Sequence, residues 1–114
     1  MEIRRRHLYV IDFNPRVRTK PGKLRPAVVL ADAGLDDWIL CQVTSNPYGD
    51  PRAVRLTAAS LGSGALRSES DARPAKLFTA SRELMVAQVA TLSPEAHEQL
   101  IDVVVTILRG TRTR

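Results

Sequence analysis

Three short segments of this chain place polar groups where an apolar stretch begins or ends, and each invites its own chemistry. The first is Lys20-Pro-Gly-Lys-Leu-Arg25-Pro26, a basic loop running into the apolar stretch Pro26–Ala31. An arginine fixed at the mouth of a strand can grip a phosphate with two parallel hydrogen bonds. Pro26 is tolerated there because a first strand residue need not donate to a ladder. The plainer alternative is a solvated charge flanking a strand. The second segment is Gln42-Val43-Thr44-Ser45-Asn46. Its two hydroxyls can bond a phosphate or a ribose hydroxyl, or can cap the turn Asn46–Pro51. The third runs from Ser68 to Lys76. Glu69 and Asp71, two apart, are a candidate acid–base pair. They read more simply as loop charges balanced by Arg67 and Arg73. Nothing arranges the Ser, His and Asp residues as a hydrolase triad.

The elements that must position these groups follow from hydrophobic period. His7–Phe13 is almost uninterrupted apolar and reads as a buried first strand, closed by Asn14-Pro15. Pro26–Ala31 is a second strand. Asp32–Asp37, with Gly34 inside, is a hairpin turn into a third, Trp38–Thr44. Val54-Arg55-Leu56 alternates and predicts a fourth. Residues 57–70 read as a loop, and two further strands are expected around Ala75–Thr79 and Leu84–Val89. The period then changes. Ser93 is a good N-cap, Pro94 suits the first helical position, and Glu95 complements the helix dipole. Ala96, Leu100, Val103, Val104, Ile107 and Leu108 recur at helical spacing, and Gly110 closes the helix. His97 falls just off that stripe and reads as a solvated helix residue. The pattern is mainly β with a C-terminal helix, a small twisted β-barrel in a single domain spanning residues 1–114.

Composition narrows the function. With 44% hydrophobic and 25% charged residues, 114 residues suffice for one ordinary globular core. The single cysteine, Cys41, lies in an apolar run and reads as a buried, inert thiol. One Cys and two separated His, His7 and His97, make no recognisable metal cluster, so no cofactor is expected. Arg4-Arg5-Arg6 leads into a short strand-like segment rather than a long apolar one, and no apolar run approaches the roughly 20 residues that span a bilayer. A cytoplasmic protein without a membrane partner is therefore expected. The net charge of +5 is uneven: eight basic groups against two acidic ones in residues 1–25 give +6, and the remainder gives −1. That end makes a positive field for a polyanion, or is only a solubilising one. Two Phe, two Tyr and one Trp are too few for a stack of base platforms.

Taken in order, Tyr9-Val-Ile-Asp12-Phe-Asn-Pro15, Lys23-Leu-Arg25-Pro26-Ala-Val-Val-Leu30, Val43-Thr44-Ser45, Ser70-Asp-Ala-Arg73-Pro-Ala-Lys76-Leu and Val89-Ala-Thr-Leu92-Ser93 resemble the MazF/PemK toxins. The likeness covers roughly residues 6–109. It implies an SH3-like barrel of the MazF/PemK/CcdB type that forms a homodimer, binds single-stranded RNA in grooves at the dimer interface, and is silenced by a cognate antitoxin. It also implies metal-independent cleavage of mRNA, by attack of a ribose 2′-hydroxyl on the adjacent phosphate. By motif position Arg25 matches the family's catalytic arginine and Thr44 its catalytic threonine. Ser70 and Arg73 match a segment that contacts substrate in some members. Lys20, Lys23, Ser45 and Lys76 would add RNA contacts. The chain departs from the family pattern twice. The loop before Arg25 offers Lys20, Gly22 and Lys23 where many members carry an acidic residue, and Ala75 stands where some carry Asp. Two rival functions share the fold: a toxin that inhibits DNA gyrase by binding it, and a nucleic-acid-binding relative without catalysis.

Overall fold

The computed structural model describes residues 2–13, 24–46 and 49–110. Among the described residues seven strands make one antiparallel sheet: β1 (His7–Asp12), β2 (Leu24–Gly34), β3 (Asp37–Thr44), β4 (Val54–Leu56), β5 (Leu61–Gly64), β6 (Ser70–Ser81) and β7 (Met85–Leu92). Their spatial order is β4-β6-β3-β2-β1-β7-β5. The turn between β2 and β3 falls at Leu35-Asp36, both with positive φ, and the Asp32 carboxylate accepts from the Gly34 amide at 2.7 Å. The basic loop, including Lys20 and Lys23, and the Asn14-Pro15 and Pro21-Gly22 turns lie outside the described residues.

Side chains alternate across a strand, so the sheet buries two separate apolar sets. One holds Leu8, Val28, Cys41, Val43, Ala72 and Leu92, together with Leu100 and Val104 of the helix α1 (Pro94–Arg109). The other holds Tyr9, Ile11, Ala27, Val29, Leu40 and Met85, with Phe78 packed against it. Phe13 reaches Phe78 across the second face, ring centroids 5.1 Å apart. Helix α1 begins and ends as its sequence dictates. The Ser93 hydroxyl accepts from the Ala96 amide, Pro94 takes the first turn, and Gly110 closes the helix at φ 70°. Leu100, fully buried at the centre of the first set, would cost about 2–5 kcal/mol if truncated to alanine.

Three expectations need correction. Residues 57–70 are not a plain loop: a single 3₁₀ turn at Ala58–Ser60 leads into β5, which pairs with β7. The pairing depends on Gly64, whose φ is 76° and whose added Cβ would lie 2.3 Å from the Val89 carbonyl oxygen. Strand β6 starts at Ser70, five residues before Ala75, and carries a wide bulge. Cys41 faces Leu77 and Val43 faces Ala72, so four residues, Arg73 to Lys76, stand against Gln42 alone. Finally His97 is not solvated but 3% exposed, tucked beneath the arginines at the start of β1.

Candidate functional site

Register brings the first two candidate segments together. Ala27 on β2 lies opposite Gln42 on β3, where the ladder of these two strands ends, and Arg25 and Thr44 each stand two residues beyond that pair, on the same face at adjoining strand ends. On the other side of β3, Thr44 lies opposite Asp71 of β6, and Asp71 opposite Arg55 of β4. Residues directly opposite one another project to the same face. Arg25, Thr44, Asp71 and Arg55 therefore form one row across four strands, on the face that carries Ala27 and Leu40 rather than the helix.

Each group in the row has a defined environment. Arg25 is half-buried and has no hydrogen-bond or ion-pair partner among the described residues. Thr44 is 6% exposed; its hydroxyl donates to the Asn46 carbonyl at 3.0 Å and accepts from the Asn46 amide at 3.1 Å. It thus caps the turn that follows β3. A hydroxyl offers one proton and two lone pairs, so one acceptor site stays available. Asp71, 5% exposed, accepts from Arg55 Nε at 3.1 Å, while Arg55 Nη1 reaches Glu69 at 2.8 Å. The two carboxylates are thus balanced by Arg55, not by Arg67 and Arg73, and Asp71 belongs to a strand rather than a loop. This pair was missed in the sequence because its members lie 16 residues apart, on an edge strand and its neighbour.

The remaining candidates separate. Ser70 alternates to the other face: it lies opposite Leu56, is 5% exposed, and spends its hydroxyl on the Ser68 carbonyl at 3.0 Å. It does not join the row. Arg73 sits in the bulge and its Nε donates to Asp50 at 3.3 Å. The Arg52 amide first, and Arg73 after it, hold the Asp50 carboxyl below the usual carboxylate range. Ser45 and Lys76 are exposed, one in the bend after β3 and one at the end of the bulge. Cys41 is fully buried, and burial pushes its thiol up to about 12, as expected of an inert cysteine. Among the described residues no three His, Cys, Asp or Glu side chains are grouped to hold a metal ion.

The fold is shared with solved structures. MazF from Deinococcus radiodurans superposes with a TM-score of 0.73 at 22% identity, over 96% of this chain and 98% of that one. An endoribonuclease from a mycobacterial species, in complex with its cognate antitoxin, gives 0.68 at 11% identity, with all of both chains covered. The Mycobacterium tuberculosis toxin MazF-mt6 gives 0.70 at 15% identity, over 91% and 97%. No curated protein matches the sequence. The family described as the PemK-like, MazF-like toxin of type II toxin–antitoxin systems matches residues 4–108. With the curled antiparallel sheet and its one C-terminal helix, that match establishes that the chain belongs to the PemK/MazF toxin family.

Proposed function

We propose that this toxin is a cytoplasmic, metal-independent endoribonuclease that cuts single-stranded RNA as a homodimer and is held inactive by an antitoxin. The observation that carries the reading is the placing of Arg25 and Thr44 at adjoining strand ends on one face: a half-buried arginine without a partner among the described residues, and a hydroxyl with one acceptor site to spare. Attack of a 2′-hydroxyl on the neighbouring phosphate concentrates negative charge on the non-bridging oxygens. Arg25 would meet two of them with aligned donors. Because the Thr44 proton is committed to Asn46, Thr44 would orient the attacking hydroxyl by accepting from it. Arg73, Lys76, Ser45 and the loop lysines Lys20 and Lys23 would contact the flanking chain. Ser70, turned to the other face, is left out of that set.

Two features support the assembly. A largely apolar groove of about 420 Å³ runs between α1 and the sheet, lined by Leu30, Ile39, Leu77, Ile101, Val105 and Leu108, with the charged Arg5 and Asp32 also in its lining. Leu108 is 71% exposed, and such a strip suits a second copy of the chain. One structural neighbour is an endoribonuclease bound to its cognate antitoxin, and a basic site invites an acidic segment that folds over it. Incubating the purified chain with RNA in excess chelator tests the reading. Cleavage leaving 2′,3′-cyclic phosphate and 5′-hydroxyl ends is expected. A protein that cuts nothing but binds gyrase, or that cuts only when magnesium is restored, would contradict it.

A further inference from the structure

The three arginines ahead of β1 play no part in the row, yet they are built into the fold rather than left as a loose tail. Arg6 has a φ of 75°, a left-handed conformation that costs a non-glycine residue roughly 1–2 kcal/mol. It is pinned there from both sides: its amide donates to the Val29 carbonyl at 2.9 Å, and its carbonyl accepts from the Leu92 amide at 2.8 Å. Arg5 is pinned through Nε, which donates to the Leu30 carbonyl at 3.0 Å. Its two terminal nitrogens have no partner among the described residues. Arg4 is ion-paired with Glu2. With Pro94, His97 and Glu98 these arginines line an open basin of about 500 Å³ at the N-terminus of α1. His97 lines that basin while 97% buried, and its Nε2 has no hydrogen-bond partner. Burial, and then Arg5 and Arg6, lower the His97 pKa, while Glu98 and a hydrogen bond to the Val29 backbone raise it.

Strained backbone persists where surrounding structure over-determines it, and such sites are frequently binding sites. Here the strained backbone of Arg6 and the Arg5–Leu30 hydrogen bond set two arginines on one basin, whose lining among the described residues has Glu98 as its one carboxylate. We propose that the Arg5–Arg6 basin binds a backbone phosphate of the same single-stranded nucleic acid that reaches Arg25. The inference rests on the proposed function for the choice of polyanion. Along β2, Arg25 and Leu30 are five residues apart, about 17 Å at roughly 3.3 Å per residue, and they face opposite sides of the sheet, so a strand joining the two sites must cover more than that length. Only an oligonucleotide long enough to span that distance would occupy both.

The test uses the full chain and deoxyoligonucleotides, which lack the 2′-hydroxyl and stay uncut. Arg5→Gln/Arg6→Gln is expected to bind a strand of about a dozen nucleotides roughly tenfold more weakly at low salt. Its slope of log K against log salt should be shallower by about 0.7, the value for one lost phosphate contact on a single strand. A tetranucleotide, too short to bridge the two sites, should lose less affinity than the longer strand. In the unmutated protein the His97 imidazole resonance should shift saturably on adding the longer strand, which keeps the test available if the variant fails to fold. Equal binding of the longer strand by both proteins, no shift at His97, or capture by anionic vesicles without capture of the strand would overturn the proposal. If the chain proves to cut no RNA while binding still depends on Arg5 and Arg6, the basin stands and the nuclease reading falls. If RNA is cut but the double variant binds like the unmutated protein, the reverse holds.

Discussion

The two ends of strand β1 both carry arginines, and they are built in opposite ways. At one end, the Arg25 row interleaves its guanidinium groups with a buried carboxylate, Asp71, and a hydroxyl, Thr44. At the other, Arg5 and Arg6 surround a neutral, buried imidazole. Interleaved charges are nearly balanced and fix geometry, which chemistry needs. A cluster of like charges raises a field, which attracts a polyanion without placing it finely. A count of basic residues in the sequence does not distinguish these two constructions.

The contrast breaks most severely if Arg25 is dispensable. Arg25→Ala is expected to slow single-turnover RNA cleavage by about 10²–10³, roughly 3–4 kcal/mol, the usual loss for one preorganised oxyanion donor. Folding would be checked by circular dichroism. Thr44→Ala should slow turnover by about tenfold, while the lost cap on the following turn should cost about 1 kcal/mol in urea denaturation. A rate effect no larger than the stability effect would make Thr44 structural only.

At the opposite end the expected effect is on stability. Because burial lowers the folded pKa of His97, the unfolded chain binds its proton first. The contribution to stability is complete above the unfolded value of about 6.5 and is lost as pH falls from there through the folded pKa. Urea midpoints between pH 8 and 5 should fall in the unmutated protein and fall less in His97→Gln; parallel curves would contradict a buried neutral imidazole. The smallest effect belongs to Ser70. Ser70→Ala should leave cleavage within about twofold and remove a single neutral hydrogen bond, about 1 kcal/mol. A loss of cleavage comparable with that of Thr44→Ala would return Ser70 to the site.

Much of the fold was legible because its elements are periodic. The apolar runs of β1 and β3, the alternation of β4, and the capped stripe of α1 each announce themselves locally. What escaped depends on partners far along the chain. Leu61-Gly-Ser-Gly64 has little strand propensity and pairs only because Gly64 lets its backbone press against Val89 and Ala90. The start of β6 is charged, and it becomes a strand because Arg55 neutralises Asp71 across the pair. Of the site, Arg25 and Thr44 could be placed at strand ends from the sequence. Their alignment, and the turning away of Ser70, needed the register, since a one-residue change moves a side chain to the other face. His97 was misplaced for a related reason. The helical stripe describes the face toward the sheet, whereas His97 is covered by the segment before β1.

The central claim is that Arg25 acts through aligned donors while the arginines before β1 act through charge. The direct test is single-turnover RNA cleavage by Arg25→Lys beside Arg5→Lys/Arg6→Lys, both conserving charge. An ammonium keeps the field but not the two-pronged geometry. Arg25→Lys should lose about 10² in rate, while the double lysine variant should stay within about twofold at equal salt. Equal rates for Arg25→Lys and the unmutated protein, or equal losses in both variants, would contradict the account.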